Sequence, residues 1–352
     1  MDSYAIQNLA PKRDPKLPKS VTNSPLLMAL KRTTSRANIT PIIEDLDDFG
    51  TNHQTEDESE ANRTCNLYPR TAFEFKIGSN FGDYNLGAIV RVRKEKFVIL
   101  DCVSGKLKMF KRVMNKNNEL QFRCITTFNL SDNSHSVTAV KENMIALTYE
   151  KKIQFFRVRR SKLKCSSTSI RAPTRCFAIT GSSAKVFFIA QITDSKYGCI
   201  KCYEKIKGTM KSHWKLDFIV ERPFNEDLSI NSSMVADAEE ATVYFTDPVS
   251  KFLASMSFRG EMIRIVRFDW TPRGLAVVGD FLIVVNDTNR SLCLMNKNGQ
   301  FLKTLISNLH ENPSHLCFNP LNQELFVCAL RSQKIRVYSV EASNAAMAIS
   351  EC

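Results

Sequence analysis

Residues 271–307 place four short apolar runs in strict alternation with turn residues. Gly274–Val278 and Phe281–Val285 flank the turn Gly279-Asp280. The loop Asn286–Arg290 leads into Ser291–Met295, and Asn298-Gly299, a strong hairpin signal, leads into Phe301–Leu305. No apolar stripe of helical period persists, so the stretch predicts four antiparallel strands in one twisted sheet. The unit recurs. Taking the last bulky residue of each third strand gives Phe110, Phe156, Tyr203, Met256, Met295 and Tyr338, spaced by 46, 47, 53, 39 and 43 residues. A period in the forties with four strands per unit defines an all-β, six-bladed β-propeller. The last unit runs through His315–Phe318, Glu324–Ala329 and Lys334–Tyr338 and then lacks a fourth strand. The orphan run Thr71–Ile77 is expected to supply it and so close the ring, which removes the open edges of the array.

The domain is therefore expected at 71–341, with a short C-terminal tail at 342–352. Residues 1–70 read as a disordered tail, broken by Pro11, Pro15, Pro18, Pro25 and Pro41 and rich in polar residues. Lys12–Arg36 is its basic part, and Glu44–Glu60 holds eight acids and no base. Ser24–Leu30 has the composition of a short helical docking segment. Lys31-Arg32 ahead of Thr33, Thr34 and Ser35 suits a basic-directed kinase. The charge is uneven: residues 71–352 hold 40 Lys and Arg against 26 Asp and Glu. An excess of this kind favours anionic partners without naming one. No apolar run approaches the roughly 20 residues of a membrane span, and the N-terminus has no signal-peptide stretch. The eleven cysteines are scattered, odd in number and mostly inside apolar runs, which points to reduced core thiols and a cytoplasmic location.

Val285–Phe301 resembles the NHL repeat, with Asp287, Asn289, Arg290, Gly299 and Phe301 in that repeat's order. Phe245–Gly260, with Lys251 at the basic place, and Ile99–Phe110 are degenerate copies. The resemblance spans about residues 71–341, where the chain is similar to the C-terminal propeller of tripartite-motif NHL proteins. It implies a binding or scaffold role, an association with a ubiquitin-ligase-type assembly, and in some members RNA recognition. The RING, B-box and coiled-coil parts of those proteins have no counterpart before residue 71, where only His53 and Cys65 occur as zinc-type ligands. Ligase chemistry is accordingly not expected in this chain.

In a propeller the loops joining second and third strands open on one face, beside those joining successive blades. On that face every blade is expected to aim a cation: Lys106, then Lys151 and Lys152, Lys196, Lys251, Arg290, and finally Arg331 with Lys334. The inter-blade loops add Arg171, Arg175, Arg222 and Arg273, and Tyr197 and Trp270 are placed to stack on bases or pack on a peptide. The leading expectation is a non-enzymatic module that docks a protein or peptide partner on this cationic face. The alternative is a post-transcriptional regulator that binds single-stranded RNA there. Enzymatic chemistry is not expected: no Gly-x-Ser-x-Gly, phosphate-cradling glycine loop or Cys-His arrangement occurs, and no cofactor or metal is called for. His53, His135, His213, His310 and His315 lack metal spacing, and Cys199 and Cys202 fall on opposite sides of a strand. A propeller hydrolase or lyase would need a metal or acid–base cluster at the channel.

Overall fold

The computed structural model describes residues 67–76, 86–93, 95–117, 120–131, 134–149, 151–172, 176–182, 185–191, 197–206, 209–219, 232–309, 311–330 and 332–342. The expectations for the N-terminal tail, including Thr33, Thr34 and Ser35, lie outside them, as do Arg175, Lys196, Arg222 and Arg331.

The described residues form six four-stranded antiparallel sheets. Strand β1 (Leu67–Lys76) comes first in the chain. Blade one follows with β2 (Leu86–Arg93), β3 (Lys96–Asp101), β4 (Lys106–Met114) and β5 (Leu120–Asn129). Blade two holds β6 (Ser134–Lys141), β7 (Met144–Tyr149), β8 (Lys152–Val158) and β9 (Leu163–Arg171). Blade three holds β10 (Cys176–Ser182), β11 (Lys185–Gln191), β12 (Tyr197–Ile206) and β13 (Thr209–Ile219). Blade four holds β14 (Met234–Asp237), β15 (Thr242–Asp247), β16 (Phe252–Ser257) and β17 (Met262–Arg267). Blade five holds β18 (Pro272–Val278), β19 (Phe281–Asn286), β20 (Ser291–Asn296) and β21 (Phe301–Ile306). Blade six holds β22 (Pro313–Asn319), β23 (Glu324–Ala329) and β24 (Lys334–Ala342), and β1 pairs with β24 as its outer strand. The first strands of consecutive blades touch one another all the way round, β22 meeting β2, so the ring is a closed six-bladed propeller. The closing strand lies where the sequence placed it, although it starts at Leu67 rather than Thr71.

Burial follows from position in the blade. Middle strands are covered on both faces and are mostly apolar, as at Leu282–Val285 of β19 and Leu292–Met295 of β20, whereas the outer β21 is mostly exposed or half-buried. In every blade the pairing of third to fourth strand slips beside the anchor residue. The slips lie at Met109/Phe110, Gln154/Phe156, Cys202/Tyr203, Ser255/Met256 and Leu294/Met295, and at Thr71/Phe73 opposite Tyr338 and Val337. A bulge sharpens the local twist, and each blade needs that twist to pack its faces against both neighbours. The sequence period was thus marking a repeated bulge.

Junctions between blades are apolar. Val98, Leu100 and Met109 of blade one pack with Ile145, Leu147 and Phe156 of blade two. Where the ring closes, Phe75 of β1 stacks on Phe122 at 4.3 Å, and Phe97 of blade one meets Phe326 of blade six at 4.5 Å. Arg112 of blade one also reaches across to Glu324 of blade six at 3.0 Å. Blades five and six approach so closely at Gly274 that a Cβ there would lie 2.7 Å from the Ser314 carbonyl oxygen. Cys102, Cys124, Cys165, Cys176, Cys202, Cys293, Cys317 and Cys328 are free thiols, and Cys176, Cys202, Cys293 and Cys328 among them are buried. Burial pushes the Cys202 thiol up to about 12.

Candidate binding faces and axial channel

One five-residue turn design recurs around the ring. A buried Asp or Asn ends a strand, its side-chain oxygen accepts backbone N–H groups of the turn, and the residue four positions on adopts a left-handed conformation. The pairs are Asp101 with Gly105 (φ 59), Asp247 with Lys251 (φ 51) and Asn286 with Arg290 (φ 48). Ser104, Val249 and Asn289 donate their N–H groups to those three caps at 3.1, 2.9 and 3.1 Å. Asp237 with Ala241 (φ 50) and Asn319 with Gln323 (φ 52) repeat the design between first and second strands, on the opposite face. A short polar side chain suits the cap because it replaces the missing backbone partner of a tight turn.

The carbonyl of the fourth turn residue then ties the chain to the next inter-blade segment. Gly105, Lys151, Lys251 and Arg290 accept from the N–H groups of Leu130, Ala172, Phe268 and Leu309 at 2.8, 2.9, 2.8 and 2.9 Å. These bonds make the four positions equivalent. Lys151, Lys251 and Arg290 are therefore presented in the same place on the turns of blades two, four and five, and all three are exposed. In blade one that place belongs to Gly105, and Lys106 follows it as the half-buried first residue of β4.

The other expected site residues have local partners. Lys251 Nζ donates to the Asp269 carbonyl at 2.9 Å, and Lys152 Nζ sits 4.7 Å from the centre of the Tyr149 ring. Arg273 Nε lies 2.9 Å from Asp287, so that motif position pairs with an arginine while its neighbour Asn286 caps the turn. Lys334 pairs with Glu74 of the closing strand at 3.2 Å. Trp270 stacks on Phe268 at 4.2 Å and packs against the junction of blades four and five, so its ring is half-buried rather than offered to a ligand. Arg171 is exposed at the end of β9, and the backbone of Tyr197 opens β12. The face thus gathers Lys106, Lys151, Lys152, Arg171, Lys251 and Arg290, while Arg273 is paired within blade five, Lys334 is paired with the closing strand and Trp270 packs between blades four and five.

The inner strands enclose an axial cavity of about 260 Å³. Its wall is mostly apolar or hydroxyl-bearing, with Ala88, Thr138, Thr180, Met234 and Ala276 among the lining residues; Arg91 also lines it, and among the described residues no carboxylate does. His315 of β22 lies in this wall. Its Nε2 is buried with no hydrogen-bond partner, and burial, aided by nearby Arg273, pushes its pKa down to about 4. The ring is thus neutral at pH 7. No signal in the sequence marked it beyond its place in a predicted inner strand.

These features define a closed six-bladed β-propeller with cation-bearing turns. No family model matches the sequence, and no curated protein matches it either. Among solved structures the chain is similar to a protein of unknown function from Bacteroides thetaiotaomicron VPI-5482, with a TM-score of 0.54 and 11% identity over 76% of this chain and 73% of that one. At that identity the likeness concerns the fold alone. No helix among the described residues is long and apolar enough to cross a membrane.

Proposed function

We propose that the chain is a non-enzymatic binding scaffold that docks an acidic protein or peptide on the face carrying Lys106, Lys151, Lys251 and Arg290. The observation that supports this most is the equivalence of Lys151, Lys251 and Arg290. Each is held at the same point of its turn by a backbone bond to the next inter-blade segment. Two of those turns are further braced by a buried cap. Cations fixed in this way lose little conformational entropy on binding. The fold is consistent with such a role, and the resemblance to NHL repeats points the same way, with a ligase-type assembly as the setting.

The second reading is single-stranded RNA on the same face. The partnered position of Trp270 weakens it, because that ring was one of the two candidates, with Tyr197, for base stacking. The deciding experiment is crosslinked purification of the full chain from cells, with and without ribonuclease, in parallel with a Lys106→Glu, Lys151→Glu, Arg290→Glu variant. Partners that survive ribonuclease and are lost in the variant establish the protein reading. Partners lost with ribonuclease establish the RNA reading. Capture unchanged by the triple variant removes this face from both.

A further inference from the structure

A cluster of cations outside any ion pair of the described residues lies on the opposite face, at the cleft between blades one and two. Four cations stand directly opposite one another across all four strands of blade one. Arg93 of β2 pairs with Lys96 of β3, Lys96 with Lys111 of β4, and Lys111 with Arg123 of β5. Directly paired residues project from the same side of a sheet, and neighbouring strands lie about 4.8 Å apart, so the row spans only about 14 Å. Its side is fixed by alternation. Lys96 shares a face with Val98 and Leu100, and both pack against blade two.

Blade two adds to the cluster. Lys96 Nζ donates to the carbonyl of Arg160, in the turn between β8 and β9. Burial, then the charges of Arg93, Lys111 and Arg160, all push the Lys96 pKa down. None of these four cations takes part in the ion pairs of the described residues. The nearby acids Glu95 and Glu324 are engaged by Arg112, at 3.9 and 3.0 Å. Like charges placed opposite each other in a sheet destabilise it. The row therefore works against the fold unless an anion covers it.

A concavity adjoins the row. A cavity of about 190 Å³ opens where the inner strands of blades one, two and three end, lined by Arg91, Arg93, Lys141, Glu142, Gly181 and Ser182. Arg93 belongs to both row and cavity. The hollow is small, its rim holds three cations to one acid, and the described rim has no aromatic ring on which a base would stack. Charge in so small a volume suits phosphoryl groups, whose oxygens accept from the arginine fork and the lysine point charge together. An extended polymer would leave the hollow unused.

We propose that this mouth, formed by Arg93, Lys96, Lys111 and Arg160 beside the cavity, binds a compact polyphosphate group, either free or carried on a lipid headgroup. The site is separate from the face of the proposed scaffold function and does not rest on that reading.

The test uses the full-length chain and inorganic tripolyphosphate, read by calorimetry and by thermal denaturation against chloride at equal ionic strength. Tripolyphosphate is expected to bind and to raise the melting temperature beyond the chloride control. Lys111→Gln is expected to weaken binding by about tenfold, the loss of one charge-assisted contact. It should also raise the melting temperature of the free protein, because it relieves repulsion with Lys96 and Arg123; a residue of purely structural value would lower it. Arg264→Gln, in the exposed outer strand of blade four and outside both proposed sites, should leave the affinity unchanged. Two further arms separate the sources. Binding to soluble inositol polyphosphates but not to vesicles assigns a free ligand. Binding to phosphoinositide vesicles, but not to phosphatidylserine vesicles of equal charge, assigns a headgroup. The proposal is overturned if tripolyphosphate behaves like chloride or if Lys111→Gln binds it as the parent chain does. Binding confined to mixed-sequence duplex RNA, with none to any compact polyphosphate, overturns it equally.

Discussion

His315 shows how a single residue can set the response of the ring to acid. Its imidazole is about 94% buried, its Nε2 has no partner, and its pKa is pushed down to about 4 by burial and by Arg273. The unfolded chain protonates near 6.5, so between the two values the unfolded state binds the extra proton. This contribution to stability is complete above about pH 6.5 and is lost as the pH falls toward 4. From pH 7 to pH 5 the loss is expected to be about 2 kcal/mol. Urea denaturation of the parent chain and of His315→Gln at both values measures it. The variant should show the shallower decline, and parallel declines would mean that His315 is not the group responsible. Nothing in the residue type announced this behaviour. A histidine in a strand is silent until the neighbouring blade removes its water.

At the scale of the element, the closing strand is the part on which the others depend. Phe75 is buried between Phe110 and Phe122, and Glu74 holds Arg336 at 2.7 Å and Lys334 at 3.2 Å on the strand it pairs with. Phe75→Ala is expected to destabilise the propeller by about 3–5 kcal/mol. Phe301→Ala, in the exposed outer strand of blade five, should stay within about 0.5 kcal/mol of the parent. Chemical denaturation compares them. Similar losses at the two sites would mean that β1 does not carry the closure.

Strand existence was legible throughout because middle strands are apolar on both faces and turns are marked by Gly, Asp and Asn. The six anchor residues were legible too, although their meaning was not. Their spacing read as a strand period, and the structure adds a bulge at each. The turn caps were harder to see. Asp101, Asp247 and Asn286 resemble ordinary loop residues, and their register emerges only when the fourth position, Gly105, Lys251 or Arg290, is seen in a left-handed conformation. For that reason the sequence aligned Lys106 with Lys251, one position away from Gly105.

At the scale of the whole molecule, the decisive property is where charge is left uncompensated. Residues 71–352 carry 40 basic and 26 acidic side chains, and the row of blade one concentrates part of that excess on one cleft. Raising chloride from about 0.01 M to about 0.15 M shortens the screening length from about 30 Å to about 8 Å. The melting temperature is expected to rise over that interval. A fall would mean that attractive pairs such as Lys297 with Asp237, at 2.8 Å, outweigh the repulsion.

By itself the sequence determined the number of blades, the order of strands and the run that closes the ring, because period and alternation are local properties of a chain. Only the tertiary structure decided which cations are free. Arg273, Lys334 and Trp270 were indistinguishable from Lys151 and Arg290 in the sequence, yet Asp287 of the same blade occupies Arg273, Glu74 of the closing strand occupies Lys334, and packing between blades four and five occupies the indole. The row Arg93, Lys96, Lys111 and Arg123 spans four strands, and strand register, which no local pattern encodes, is what brings its members side by side.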